Sequence, residues 1–377
     1  MADTFSDLPD ALVRDLLNCA IPLADEVRSR IEGLRAARDQ LRKTAKEHGL
    51  IKRKADLDVP REPSVVGIDG SYQIHRLTSM DLCAAAAVAV EGTSKEAKRH
   101  WPEPYHRMWA GGLQHHDSTT GALRSLMVGE ELELAKEAPH DLVLLDGAFA
   151  SLVIYINQGL TVVDEVPRAL GEELKRRWFE QRIFERLIGL MRSERVVGVP
   201  KFTSRNEFAT ISGFQPAEGV DGKTLATLIL KPGEYTQPLQ IYDETRGGEL
   251  DRYHLPKPFC PEEDDTPVRE AMRASRVIYY RPFGWVPALR LELPGPVASS
   301  LTRLSIALEG ITRQYFSPAV VEPYPLFLAD RMVKSLGAGV AAIEQTVAQH
   351  VADRGADTEL TILFLQNYRT EGGRGGV

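Results

Sequence analysis

Two apolar runs in this chain each end in an Asp-Gly pair. The first is Val-Val-Gly-Ile-Asp-Gly-Ser at 65–71, and the second is Leu-Val-Leu-Leu-Asp-Gly-Ala at 142–148. Short runs of this kind predict buried strands, which would place Asp69 and Asp146 at strand tips. Two adjacent carboxylates repel each other unless a cation neutralises them, so the pair indicates a divalent-metal site. Asp-Gly is also a common turn, and this plainer interpretation stays open.

Two further charged positions could join the same chemistry. A helix predicted over 125–136 carries Glu130, Glu131 and Glu133, and a carboxylate from it could reach the strand tips; the alternative is an exposed acidic helix. A strand predicted over 196–201 ends at Lys201. A cation there could hold a phosphate and stabilise the charge that develops in phosphoryl transfer, although a lysine at a strand end is usually just solvated.

The elements that must position these residues alternate along the chain. The first fifty residues predict a long amphipathic helix, kinked or split at Pro22. Further helices are predicted over 169–194, 299–315 and 326–350, further strands over 82–90, 225–230, 276–280 and 288–293, and a loop over 101–117. This alternation favours one mixed α/β domain over 61–369, preceded by a helical segment over 1–60 and followed by a disordered Gly-rich tail over 370–377.

Composition limits the classes of protein that fit. The 377 residues have a net charge of −7, which argues against a chain that coats nucleic acid non-specifically but leaves room for a local basic groove. The three cysteines are far apart and lack metal-site spacing, so a cytoplasmic location is expected. The longest apolar stretch, 82–90, is too short to span a bilayer, so no membrane association is expected.

One motif points to a different function. Residues 217–224, Ala-Glu-Gly-Val-Asp-Gly-Lys-Thr, fit a relaxed phosphate-binding loop, which would make the chain an ATP-binding enzyme. Such a loop must leave a strand and open a helix, whereas a strand is predicted directly after this match. The ATP interpretation is therefore the weaker alternative.

Several short motifs, taken in order, resemble the NurA family, nucleases that work beside a HerA-type hexameric ATPase. They are Ile-Asp-Gly-Ser-Tyr at 68–72, Glu-Leu-Glu-Leu-Ala at 131–135, Leu-Leu-Asp-Gly at 144–147, Val-Gly-Val-Pro-Lys at 197–201, and Glu-Pro-Tyr-Pro-Leu-Phe-Leu-Ala-Asp-Arg at 322–331. The resemblance spans about 65–343. It implies an RNase H-like mixed sheet flanked by helices, with Asp69, Glu131 and Asp146 as manganese ligands.

The last motif departs from the family pattern. The family usually has a Tyr at its start and a His after the Ala, where this chain has Glu322 and Asp330. A His general base is therefore in doubt. Asp330 offers an alternative as a fourth metal ligand, because a carboxylate suits Mg²⁺ or Mn²⁺.

The combined prediction is a metal-dependent DNA nuclease, an end-resecting exonuclease with some single-strand endonuclease activity, acting in DNA repair or in defence. Lys201 would help to neutralise the phosphate of the DNA. The apolar faces of the N-terminal and closing helices predict a homodimer, and the resemblance adds a HerA-type ATPase as partner. A catalytically weak subunit that mainly binds DNA and the ATPase is the alternative, because the last motif is altered.

Overall fold

The computed structural model describes residues 8–58, 61–94, 99–202, 205, 207–208, 220–241, 266–354 and 357–366. The predicted tail at 370–377 and residues 217–219 of the predicted phosphate-binding loop lie outside the described residues. The described strands are β1 (Ile51–Arg53), β2 (Val65–Arg76), β3 (Asp81–Glu91), β4 (Tyr105–Leu113), β5 (Leu142–Asp146), β6 (Val196–Val199), β7 (Glu234–Thr236), β8 (Leu239–Gln240), β9 (Arg276–Arg281) and β10 (Leu289–Leu293).

The described helices pack around the sheet that these strands form. They are α1 (Asp10–Asn18), α2 (Ala20–Glu47), α3 (Thr119–Glu137), α4 (Phe149–Val162), α5 (Arg168–Phe179), α6 (Ile183–Met191), α7 (Gly222–Ile229), α8 (Thr266–Ala274), α9 (Gly295–Ser299), α10 (Leu301–Arg313), α11 (Tyr324–Lys334), α12 (Leu336–Asp353) and α13 (Thr358–Leu365). Within the described part of the chain, no helix is both long and apolar enough to cross a membrane.

The strands form one mixed sheet in the order β1-β7-β9-β10-β6-β5-β2-β3-β4, with β8 beside β9. The central strands β2, β5 and β6 are parallel, and their neighbours pair antiparallel. Strands β4-β3-β2-β5-β6 form the RNase H-like core. Counted along the chain from β2, the five strands of this core lie side by side in the order third, second, first, fourth and fifth. The predicted fold class, a mixed sheet flanked by helices with a long N-terminal helix, is confirmed.

Helix α11 packs against β2 with almost no space between the two backbones. A Cβ atom on Gly67 would lie 2.6 Å from the carbonyl carbon of Pro325 and would also collide with the backbone nitrogen of Leu326. Two residues along a strand cover about 6.6 Å. Four residues along a helix cover about 6 Å. The contact between Gly67 and Leu326 therefore brings Asp330 over Asp69.

Helix α3 packs on the opposite face of β2. Side chains alternate between the two faces of a strand, so Gly70 lies on the other face from Gly67 and Asp69. A Cβ atom on Gly70 would collide with the Glu131 carboxylate and lie 2.7 Å from Cγ of Met127. The absence of a side chain at position 70 thus lets a carboxylate approach the sheet next to Asp69.

One predicted loop is a strand. The segment predicted as loop over 101–117 contains β4, which pairs antiparallel with β3 along nine residues. Its side chains are mostly exposed or half-buried, because β4 is an edge strand of the sheet. An edge strand needs little apolar sequence, so the hydrophobic pattern did not reveal it.

Two helix predictions and one strand prediction also need correction. The N-terminal helix breaks at Cys19 rather than at Pro22, which is tolerated in the first turn of α2. The helix predicted over 169–194 is divided into α5 and α6 at Arg182, whose φ of 52° is left-handed. The strand predicted over 225–230 is α7, which begins after Asp221, because a short apolar run does not distinguish a strand from a buried helix.

Substitution of Gly67 by alanine should disturb the packing of α11. The new methyl group would push on backbone atoms of Pro325 and Leu326, so Gly67→Ala should lose about 1–3 kcal/mol of unfolding free energy in a denaturant titration. The control is Gly189→Ala, because Gly189 lies inside α6 with open space around it. This control should be neutral or gain up to about 1 kcal/mol. Equal stabilities of the two variants would contradict the close contact.

Candidate metal centre

Two carboxylates reach the site from neighbouring parallel strands. Ile68 pairs in register with Leu145, so Asp69 and Asp146 follow at the same level of the sheet. Asp69 is only 9% exposed. Gly70 donates its backbone N–H to Oδ1 of Asp69 at 2.9 Å, which fixes the carboxylate. The two aspartates therefore lie side by side, but only Asp146 ends its strand: the strand-tip prediction is wrong for Asp69, because β2 continues to Arg76 through its pairing with β3.

A third carboxylate comes from α11. Asp69, Asp146 and Asp330 each offer an oxygen atom, and these three atoms lie within 4.8 Å of one another. We call these three residues the carboxylate triad. All three groups are oxygen donors, which suits a hard divalent cation such as Mg²⁺ or Mn²⁺.

Lys201 lies at the centre of the acidic groups. Its Nζ is 2.8 Å from Oδ2 of Asp146, 2.9 Å from Oδ1 of Asp330 and 3.2 Å from Oε2 of Glu322. Val199 pairs in register with Asp146, and Lys201 follows two residues later, which explains why its ammonium reaches this edge of the sheet. Asp330 also pairs with Lys334, at 2.8 Å.

Glu131 is close to the triad but is not part of it. It is 5% exposed and lies against Gly70, so it approaches from the α3 side of the sheet. Its neighbours on α3 have other partners: Glu130 pairs with Arg177 and Glu133 with Arg186. Of the three glutamates singled out from the sequence, Glu131 is thus the one directed at the site.

Burial and mutual repulsion shift the carboxylates toward the protonated form. Burial, with the charge of Asp146 added, raises the pKa of Asp69 to about 8. Burial and the charges of Asp69 and Asp146 raise the pKa of Glu131 well above its usual value. Burial also raises the pKa of Asp146, although Lys201 acts in the opposite direction. A divalent cation bound here would act against these shifts, because it stabilises the ionised carboxylates.

Pairing between the lysines and the carboxylates favours their ionised forms, against the effect of burial. Burial alone would lower the pKa of Lys201, but the carboxylates of Asp146, Asp330 and Glu322 outweigh burial and raise it. Burial would raise the pKa of Asp330, but hydrogen bonds from Lys334 and Lys201 lower it. Glu322 is less well compensated, and burial raises its pKa. The surrounding carboxylates therefore favour the positively charged form of Lys201.

Two lysines near the site were not recognised from the sequence. Lys334 follows Asp330 by one helical turn, a spacing that predicts an ion pair. Lys223, in the Gly-Lys-Thr segment, donates from Nζ to the backbone carbonyl of Lys201 at 2.8 Å. The motif was visible in the sequence, but the strand predicted after it concealed that Lys223 stands at the start of a helix.

Stability of the metal-free protein should fall as pH rises. Because the pKa of Asp69 is about 8 in the folded chain and about 3.9 in an unfolded one, the folded state holds its proton more tightly. The stabilisation is complete below about pH 4 and is lost as pH rises through about 8. We expect the melting temperature in chelator to fall over this range, and Asp69→Asn to flatten the fall. A variant with the same pH slope as the wild type would contradict the shift.

Comparisons with known proteins identify a family and a related fold. A family model for the NurA domain matches residues 63–335. The NurA nuclease from Sulfolobus solfataricus is 13% identical with a TM-score of 0.60, and the alignment covers 90% of this chain and 98% of that one. NurA with manganese is 12% identical, with a TM-score of 0.49 and coverages of 89% and 99%. NurA bound to dAMP and manganese is 12% identical, with a TM-score of 0.46 and coverages of 82% and 93%.

No curated protein matches the chain significantly. At 13% identity, the likeness to the Sulfolobus structure concerns the fold. The family model matches well over half of the 377 residues, a range that includes Asp69, Asp146, Glu131, Lys201 and Asp330. The chain therefore belongs to the NurA family of nucleases.

Proposed function

We propose that this chain is a Mn²⁺- or Mg²⁺-dependent deoxyribonuclease that resects DNA ends and also cuts single strands internally. The observation that supports it best is the carboxylate triad, in which two strands and a distant helix bring three acidic groups within 4.8 Å of one another beside Lys201. The fold holds these negative charges close together although they repel one another, which is typical of a site that binds a cation. The nuclease domain would span 61–369 and the helical segment 1–60.

Each residue of the site has a distinct role in this proposal. Asp69, Asp146 and Asp330 would hold the metal, and Glu131 would act as a further ligand from the α3 side. A bound Mn²⁺ or Mg²⁺ supplies an activated water and stabilises the leaving oxygen. Lys201 is kept in its positively charged form by the surrounding carboxylates and would neutralise the phosphate as charge develops on it. Asp330 and Glu322 stand where the family has His and Tyr. Activation of the water would therefore depend on the carboxylates that bind the cation rather than on a His base.

The ATP-binding alternative meets a physical objection. The start of α7 is capped by Asp221, whose Oδ1 accepts from the backbone N–H of Thr224 at 2.9 Å and whose Oδ2 accepts from its hydroxyl at 2.7 Å. A phosphate at this helix terminus would meet a carboxylate instead of free N–H groups. Lys223 is also directed to the carbonyl of Lys201. The segment therefore fits the nuclease site better than a nucleotide site.

The long N-terminal helix provides the support for a homodimer. Along α2, Leu34, Leu41 and Ala45 pack on the core, and the same face continues toward the N-terminus as Leu23, Val27 and Ile31, which are 56–59% exposed. An apolar stripe that extends past its own core suits a partner with an identical stripe. A second copy of the chain is therefore the proposed occupant.

A HerA-type hexameric ATPase is the second proposed partner, on the basis of family membership. The reaction would take place in the cytoplasm and serve DNA repair or defence. We expect digestion of blunt duplex DNA to require both the ATPase and ATP, while digestion of single strands proceeds without them. Equal duplex digestion with and without the ATPase would contradict the partnership.

Removal of Asp69 or Asp146 should abolish the activity. Asp69→Ala and Asp146→Ala should digest linear DNA at background rate with Mn²⁺, while remaining folded, because each loses a metal ligand rather than core packing. Asp164→Ala is the matched control, since Asp164 pairs with Lys175 on the surface, away from the site. Its activity should equal that of the wild type. Active Asp69→Ala and Asp146→Ala proteins would exclude the proposed site.

Substitution of Asp330 distinguishes the nuclease from the catalytically weak subunit. Asp330→Asn should lower the rate by orders of magnitude, because it removes a charge from the triad. Asp330→His should retain part of the rate, since His is also a competent Mn²⁺ ligand or base. Asp353→Asn, on the exposed face of α12, is the control. Unchanged rates of single-strand and duplex digestion would remove Asp330 from the site.

The dimer should depend on the exposed end of α2. The double variant Leu23→Glu, Val27→Glu places charges on the apolar stripe and should convert a dimer into a monomer in light scattering coupled to gel filtration. Asp25→Arg changes charge on the same helix without touching the stripe and should remain dimeric. A wild-type chain that is monomeric at all concentrations would refute the proposal.

A further inference from the structure

The first residues of α7 are held rigidly in place. Gly222 donates its backbone N–H to the carbonyl of Arg205 at 3.0 Å, and Asp221 caps the helix through Thr224. A Cβ atom at position 222 would collide with the Tyr279 hydroxyl, so α7 lies directly against β9. Lys223, the next residue, therefore leaves the backbone at a fixed point.

The Lys223 side chain reaches the candidate metal centre from this point. Its Nζ donates to the carbonyl of Lys201 at 2.8 Å, the hydrogen bond that the described residues give it. An ammonium group has three N–H donors, so two remain for a ligand. Lys223 is half-buried, and burial lowers its pKa, while the charges of Asp221 and Glu322 act in the opposite direction. A second ammonium thus lies near Glu322, which also pairs with Lys201.

The balance of charge explains what this second ammonium could do. Lys201 is held among Asp146, Glu322 and Asp330, which directs its charge at the phosphate that is cut. A phosphate beside that one meets the same acidic groups and needs a second cation. The Lys223 ammonium is such a cation, and its hydrogen bond to the carbonyl of Lys201 holds it next to the first.

We propose that Lys223 is a substrate-positioning residue, which holds the Lys201 turn by its carbonyl and donates its remaining N–H groups to a DNA phosphate beside the one that is cut. The inference rests on the proposed deoxyribonuclease function and adds a phosphate-binding position to it. It also gives a role to the Gly-Lys-Thr segment, in which the lysine binds a phosphate of the DNA backbone rather than of a nucleotide.

The test measures binding separately from cutting. Fluorescence anisotropy of a labelled single-stranded oligonucleotide, in chelator to prevent digestion, gives the Kd over a series of salt concentrations. Lys223→Met should weaken binding about tenfold and lower the slope of log Kd against log salt by about 0.7, the loss of one phosphate contact. Lys223→Arg keeps the charge and should keep the slope. Lys231→Met is the matched control, because Lys231 is exposed just beyond the end of α7.

The outcomes separate the inference from the proposed function. With Mn²⁺ present, Lys223→Met should raise KM about as much as it raises Kd, while kcat falls less. A Lys223→Met protein with the wild-type salt slope and a lowered kcat would show that Lys223 only supports the fold of the Lys201 turn, and would overturn the inference alone. A wild-type protein that binds no DNA would overturn the proposed function itself.

Discussion

Repulsion among closely placed carboxylates is the constraint on which this structure depends. Asp69, Asp146 and Asp330 lie within 4.8 Å of one another, an arrangement that costs free energy in proportion to how well water is excluded. Two features of the site limit this cost. Lys201 stands among the acidic groups as a counter-ion, and the pKa of Asp69 rises so far that its carboxyl group keeps its proton near neutral pH.

The constraint explains why the charged groups come from rigid and distant elements. Asp69 and Asp146 stand on two paired strands, and Asp330 stands on a helix almost two hundred residues later in the chain. Flexible loops would relax and separate like charges, whereas strands and packed helices hold them in place. The site is therefore complete only when the last part of the domain has packed on the first.

The sequence predicted the parts of the site that have a local signal. The buried strands before Asp69 and Asp146, and the helix that presents Glu131, all have apolar patterns that follow directly from burial. The edge strand β4 lacked such a pattern because little of it is buried. The position of Lys223 was also missed, because the apolar run after it fits a strand or a buried helix equally well. Asp221, a residue type that often caps the start of a helix, was the signal that favoured the helix.

The close contact between Gly67 and α11 has a consequence for how such a chain can evolve. The distance between sheet and helix is set there by backbone atoms, because a Cβ at position 67 would overlap Leu326 and Pro325. Most helix–sheet distances depend on the sizes of the side chains between them, so they drift as cores are repacked. A helix–sheet distance that is set by backbone atoms does not change when side chains are replaced. The core around the carboxylate triad can therefore accumulate substitutions over long divergence while the geometry of the acidic groups is inherited unchanged.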